Sequence, residues 1–324
     1  MLSSHYYTII FYFLFSLLFT LFFVGIDNFW FENTNWLYGS GDLTNAQLSW
    51  KYFLNDIWRF PIGKNPDYGL EISNSIVFTD NIPLLAIFFK IFKQFINQNF
   101  QYFSLWLFIS SFLQLFLSYL LINKITKNKL FSFLASFLFL LMPFLLYRMT
   151  HHFSLSGHWL ILYSFYVAYF IDENKKAKHW YFLIFLSLLI HLYFTVIVFV
   201  VFFCSLFENK LTKEKFKNIF FDISLKLLFT FSLMYIVGYF ESSPINSVSS
   251  GYGIFKIDLL SFFDPKIDAQ VASWSFFLKD LPGTHFEGFT YIGVSNIILI
   301  IFALVIFVFK KFIQKKYSND FPLI

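Results

Sequence analysis

Long apolar runs separated by four lysine clusters suit this chain to one solvent, a lipid bilayer. The clusters are Lys124, Lys127 and Lys129; Lys175, Lys176 and Lys178; Lys210, Lys213, Lys215 and Lys217; and Lys310, Lys311, Lys315 and Lys316. Apolar segments run near residues 6–26, 102–122, 130–147, 155–171, 219–240 and 294–309. Roughly 20 apolar residues cross a hydrocarbon core of ~30 Å, and within that core only a helix or a closed barrel satisfies its own backbone. With 58% hydrophobic and 13% charged residues and a mean hydropathy of +0.64, the 324 residues lack the composition of a water-soluble core. The expectation is an all-α integral membrane protein, a polytopic helix bundle forming a single transmembrane domain over residues 1–324.

The lysines also orient the chain. Basic residues gather on the cytoplasmic side of membrane helices, so the net charge of +5 needs no nucleic-acid partner. The first apolar segment has neither a basic start nor a small-residue cleavage site and reads as a retained anchor with the N-terminus inside. The loops at 27–81 and 241–293 carry more acidic than basic residues and fall outside. Residues 180–207 lie between two lysine clusters and must go out and return, which predicts a short-armed helical hairpin turning near His191 and Tyr193. Residues 82–97, IPLLAIFFKIFKQFIN, are expected to form an interfacial or half-buried helix, with Lys90 and Lys93 snorkelling toward headgroups. The 53 phenylalanines are equally explained by nucleotide bias and carry no functional weight. A single cysteine, Cys204, excludes an intrachain disulfide and a cysteine-rich metal cage.

Candidate chemistry concentrates in the outer loops. Asp42 follows Gly39, Ser40 and Gly41 and opens an amphipathic run in which Leu43, Ala46, Trp50, Phe53, Leu54 and Ile57 share one face. It is read either as the N-cap of that helix or as a general base at the lipid–water boundary. Asp80 precedes Pro83 and another apolar helix, where it is a natural cap; it could also orient a base or bind a divalent cation. YRMTHHFSLSGHW brings Arg148, His151, His152 and His158 to an outer turn. If that stretch is helical, Arg148 lies over His151 and His152, and His151 over His158, a cationic corner suited to phosphate. Ordinary interfacial anchoring is the alternative. No HExxH pattern or cysteine accompanies these histidines, which disfavours zinc. His191 and Tyr193 at the hairpin tip, and Glu287 and Tyr291 in HFEGFTYIG, are candidate cavity residues; hydrogen bonding between helices and aromatic-belt anchoring are the plainer explanations.

Taken in order, these features resemble the GT-C glycosyltransferase superfamily: one helix, a long outer loop with an early acid, helix pairs, and a hairpin entered from the cytoplasm. More narrowly, GDLTNAQLSW, FPIGKNPDYGLEISNSIVFTDNIPLLA, HFSLSGHWLIL and FEGFTYIG resemble an uncharacterised family of bacterial polytopic membrane proteins of GT-C-like layout. The resemblance implies a GT-C-like fold in which the first outer loop carries interfacial helices, and a bacterial inner-membrane location. It also implies transfer of a sugar from a polyprenyl-phosphate donor to an extracytoplasmic acceptor. By the same resemblance Asp42 is the base, Asp80 a supporting acid, and Arg148 with His151, His152 and His158 the carrier-phosphate group. Relatives of this layout often continue into more helices or an outer domain, whereas this chain stops soon after KKFIQKKYSNDFPLI. That departure fits either a missing C-terminal portion or an inactive relative.

A glycosyltransferase is therefore the leading expectation. A transporter or flippase of a lipid-linked intermediate would place polar groups near mid-membrane in broken helices, whereas most acids here lie in the outer loops. A noncatalytic scaffold in envelope assembly is the third reading. The sequence leaves the sugar, the acceptor and any need for a divalent cation open.

Overall fold

A computed structural model describes residues 2–39, 41–69, 74–209, 216–241, 259–263 and 290–320. Helix α1 (Leu2–Val24) leads through a single turn, α2 (Ile26–Phe29), into the first long loop. That loop holds α3 (Gly41–Asn55), strand β1 (Lys64–Asn65), the short α4 (Pro66–Gly69) and strand β2 (Asn74–Ser75). The strands pair antiparallel, Lys64 opposite Ser75 and Asn65 opposite Asn74. Then come α5 (Pro83–Ile91), α6 (Phe103–Thr126), α7 (Lys129–Leu140), α8 (Pro143–His151) and α9 (Trp159–Phe170). Helices α10 (Glu173–Ile190), α11 (Leu192–Asn209), α12 (Phe216–Val237) and α13 (Val294–Asp320) follow.

Two compact units are present. The first comprises 1–141 and 145–246; the second comprises 142–144 and 247–324. In the first, α6 is the central helix, packing on α1, α7 and α9. Its buried Ser110, Ser111 and Ser118 let neighbouring backbones come close, and Gln114 donates to the Phe139 carbonyl of α7 at 3.2 Å. Tyr12 of α1 reaches Ser136 of α7 at 2.7 Å. In the second, Ile292 N–H donates to Phe262 O (3.2 Å), and Ser261 bonds Thr290 (2.6 Å).

Among the described residues, four helices are long and apolar enough to cross a membrane: Tyr6–Val24, Phe103–Thr126, Lys217–Val237 and Val294–Lys311. Large apolar side chains such as Phe22, Leu228 and Phe307 lie exposed along three of them, a surface that suits lipid and not water. The segments expected at 6–26, 102–122, 219–240 and 294–309 thus correspond to single helices. The one expected at 130–147 does not. It breaks ahead of Pro143 into α7 and α8, bent by 47°, because proline lacks the amide to continue the ladder. The segment expected at 155–171 is also shorter: α9 has 12 residues, about 18 Å of helix, preceded by the 3-10 turn Phe153–Ser156.

The hairpin turn falls where expected, at His191, which adopts extended backbone between α10 and α11. Its arms, at 18 residues each, are longer than expected, because α10 begins inside the lysine cluster and carries Lys175, Lys176 and Lys178 in its first turns.

The first loop is built on α3. Leu43, Ala46, Trp50, Phe53 and Leu54 are buried as the periodicity predicts, while Ile57 lies beyond the helix end and is exposed. Lys90 and Lys93 do not snorkel outward. Lys90 is buried over the Phe53 ring (3.9 Å) and donates to Ile57 O (3.2 Å), and Lys93 donates to Asn55 O (2.6 Å) and Asp56 O (3.1 Å). Both supply positive donors to the carbonyl end of α3, where helix carbonyls lack partners. The loop is also tied to α12, because Ile62 and Gly63 donate to Ile236 O (2.9 Å) and Val237 O (3.1 Å), and Lys64 pairs with Glu241 (2.7 Å).

That approach is close enough that a Cβ on Gly63 would stand 2.2 Å from Val237 O, whereas one on Gly41 would meet nothing within 4 Å. Gly63→Ala is therefore expected to destabilise the fold by about 1–3 kcal/mol, read as a lower Tm in detergent. Gly41→Ala should leave stability within about 0.5 kcal/mol of the parent, with Tm nearly unchanged. Equal melting of the two variants would contradict the docking of this loop on α12.

Candidate functional site

The turn before α5 is fixed by a buried polar network centred on Asn81. The Asn81 amide donates to Ala46 O (2.9 Å), to Ser49 Oγ and to Thr79 Oγ1 (3.0 Å), and its oxygen accepts from Tyr102 Oη (2.8 Å). Ser49 Oγ donates to Thr79 Oγ1 (2.7 Å) and Asn65 Nδ2 donates to Ser49 O (2.9 Å). All of these residues are buried, and apart from Asn65 Oδ1, which has no hydrogen-bond partner among the described residues, their side-chain polar groups find inside the protein the partners they would lose to dehydration. The network joins α3, the β-ribbon, the 79–81 turn and the head of α6, and fixes the backbone on either side of Asp80.

Asp80 faces the 3-10 turn Phe153–Ser156. Its Oδ1 accepts from Ser154 Oγ, and the carboxylate also accepts from the backbone N–H groups of Phe153 and Ser154. Asp80 is thus a cap, but not of the helix that follows it in sequence; α5 starts from Ile82 with no side-chain cap. The capped turn is itself anchored: Trp106 Nε1 donates to Phe153 O at 2.6 Å, and the Phe153 ring stacks on Phe103.

His152 stands between two acids. Its Nδ1 is 3.9 Å from Asp80 Oδ2, and its Nε2 is 3.9 Å from Asp42 Oδ2. Side-chain exposure rises along the series, 13% for Asp80, 15% for His152 and 56% for Asp42, so the three form a line from interior to solvent. Asp80 Oδ2 is buried without a hydrogen-bond partner among the described residues. Burial lifts the Asp80 pKa to about 7; Ser154 opposes the rise, the Asp42 charge adds to it, and the two backbone amides oppose it. Asp42 is the second residue of α3, in its first turn, rather than the residue before the helix.

The four-residue cationic corner is not assembled as expected, because the helix ends at His151 and the chain turns away at His152 (φ −135°, ψ 85°). His151 bonds Thr150 (2.7 Å) and Tyr147 O (3.1 Å) and stacks on Tyr147, within its own helix. His158 is pulled down to about 4 by burial and then by Arg148, and so is neutral near pH 7. Arg148 remains the fixed cation of the group. Burial, then His152 and then Arg148, lower His191 to about 4, so the hairpin break senses the same charges. Gly157 makes that approach possible: a Cβ there would lie 3.1 Å from Phe194 and 3.2 Å from Ile190. Tyr193 is exposed, edge-on to His191. Tyr291 is buried in the second unit, and Glu287 lies outside the described residues. Among the described residues no group of three or more His, Cys, Asp or Glu is arranged to hold a metal ion.

A family model described as a domain of unknown function, DUF6311, matches residues 13–324. The chain belongs to the DUF6311 family. No curated protein and no solved structure matches it. In this DUF6311 chain the residues that position Asp80 were not singled out from sequence, although several carried a signal. The polar triplet Thr79-Asp80-Asn81 and Ser154 in HFSLS interrupt apolar surroundings, where polar groups need partners. A second ion pair was also legible. Asp222 and Lys226 stand four apart in an otherwise apolar helix; Lys226 donates to Asp222 and lies over Phe202 (4.8 Å). They line a cavity of about 60 Å³ with Trp180 and Ser205.

Because the folded pKa of Asp80 is raised, its contribution to stability is full below about 4 and is lost as pH rises through about 7. Thermal unfolding in detergent is expected to show this loss in the wild type. Asp80→Asn, which keeps the acceptor oxygen for Ser154, is expected to flatten it. Equal pH dependence in the two proteins would contradict the assigned burial of Asp80.

Proposed function

We propose that this chain is an integral membrane glycosyltransferase that moves a sugar from a polyprenyl-phosphate donor to an extracytoplasmic acceptor in envelope glycan or glycoconjugate assembly. The observation that carries the reading is the convergence of Asp42 and Asp80, from the two ends of α3 and its following loop, on His152. The site grades from a dry carboxyl to a wet one beside apolar helices, which suits a reaction whose donor is held by lipid and whose acceptor arrives from water. The GT-C-like order of elements supports the same reading by analogy of layout alone.

In this reading Asp42, exposed and in reach of an incoming hydroxyl, is the general base. Asp80 is the supporting acid, held by Ser154 and the 153–154 amides. Arg148, whose charge is felt at His158 and His191, faces the carrier phosphate, where negative charge grows as the sugar departs. The N-terminus and the lysine clusters lie in the cytoplasm and the site outside, in a bacterial inner membrane. The 18 residues of α10 span about 27 Å between its lysine-bearing start and His191, which supports this sidedness.

Two outcomes are expected. In nanodiscs supplied with a panel of radiolabelled polyprenyl-phosphate sugars, the wild type transfers label and Asp42→Asn loses about 100-fold or more with insertion and fold preserved. Full transfer by the variant would remove Asp42 from the reaction. A tag at Lys176 is expected to be shielded from an impermeant reagent added outside, and one at Ser250 to react. Equal labelling of both would overturn the topology.

A further inference from the structure

We propose that His152 is the proton carrier of this site, taking from Asp42 the proton removed from the acceptor, with Asp80 as the positioning residue that holds and stabilises the imidazolium. The inference rests on the transferase reading for its substrate, but not for its geometry.

The geometry is that of a ring with an acid at each nitrogen. Asp80 Oδ2 and Asp42 Oδ2 both stand 3.9 Å from His152, at Nδ1 and Nε2 respectively. These are ion-pair separations, and closure by about 1 Å would make both hydrogen bonds. Catalytic hydrogen bonds are often this long before substrate binds. Asp80 Oδ1 accepts from Ser154 Oγ and the carboxyl group also takes the 153–154 amides, while Oδ2 is buried and has no hydrogen-bond partner among the described residues. A buried carboxylate oxygen without a donor is costly. Its nearest remedy is the Nδ1–H of His152. An exposed carboxylate alone is a poor resting place for an alkoxide's proton, since its usual pKa is near 4, whereas an imidazole holds a proton near neutrality.

The step balances as follows. The acceptor O–H bond breaks and its proton passes to Asp42 and on to His152 Nε2, leaving Asp42 ionised. The acceptor oxygen forms a bond to the anomeric carbon, and the bond from that carbon to the phosphate oxygen breaks, its electron pair departing with the phosphate. The imidazolium then carries the proton until it is returned to solvent. Among the described residues, the other charged and titratable groups of this corner bring no negative charge to the ring. Arg148 on α8 is cationic; His191 at the hairpin break and His158 ahead of α9 are held neutral. Among the described residues, it is the two acids that favour the charged ring.

The test needs no substrate. Histidine labelled at ring Cε1 is titrated by NMR in the full chain in nanodiscs, with the His152 signal assigned from its loss in His152→Gln. The His152 midpoint is expected to fall by about one pH unit or more in Asp80→Asn, and to fall also in Asp42→Asn. Asp42 is exposed, so its variant stays folded even if the Asp80 variant does not. An Asp42→Asn midpoint equal to wild type would overturn the relay, as would one unchanged in a folded Asp80→Asn protein. Failure to find a transferred sugar would sink the transferase reading and leave this titration standing; an unmoved titration would sink the relay even if transfer were found.

Discussion

One buried carboxyl group organises the end of the molecule where chemistry is proposed. Asp80 is pinned from behind by the Asn81 network and from the front by Ser154 and the amides of the 153–154 turn. An unpaired charge in that position would cost several kcal/mol, so the turn, the head of α6 and α3 must all be in register for Asp80 to be tolerated. Just ahead of that turn the His152 ring lies between Asp80 and Asp42.

The same constraint explains why the site can be rigid although it is assembled from loops. Trp106 holds the 153–156 turn through its carbonyl, Gly157 lets the hairpin tip press against it, and Lys90 and Lys93 close the far end of α3. Aromatic packing fills the space between, with Phe153 stacked on Phe103 and edge-on to Trp36. Positioning of this kind comes from side-chain hydrogen bonds to backbone carbonyls and from ring contacts between the loops and the head of α6.

Much of this was readable in advance, and the parts that were not have physical reasons. Apolar length found α1, α6, α12 and the start of α13, and the opposed lysine clusters located the turn at His191. Helical periodicity found the buried face of α3. The break ahead of Pro143 was missed because the apolar run continues through it, although proline itself was the signal. Lys90 was misplaced because a lysine on an apolar helix looks free to snorkel; its partners, the carbonyls at the end of α3, lie 33 residues away in the chain. Asp42 and Asp80 stood out as acids heading helices, yet local spacing suggests that each caps its own helix. That Asp80 caps a turn 74 residues downstream is a tertiary fact. His152 was grouped with its neighbours as a cation, and only the end of α8 at His151 shows that it parts from them.

The proposed reaction requires that a lipid-linked sugar phosphate be presented to the Asp42, His152 and Asp80 line. The most direct measurement is a cryo-electron microscopy map of the protein in nanodiscs with a polyprenyl-phosphate sugar bound. The account predicts the sugar's anomeric carbon facing Asp42, the phosphate against Arg148, and His152 between the two carboxylates. Donor density elsewhere on the protein, or an Asp42 turned away from both His152 and the sugar, would contradict it.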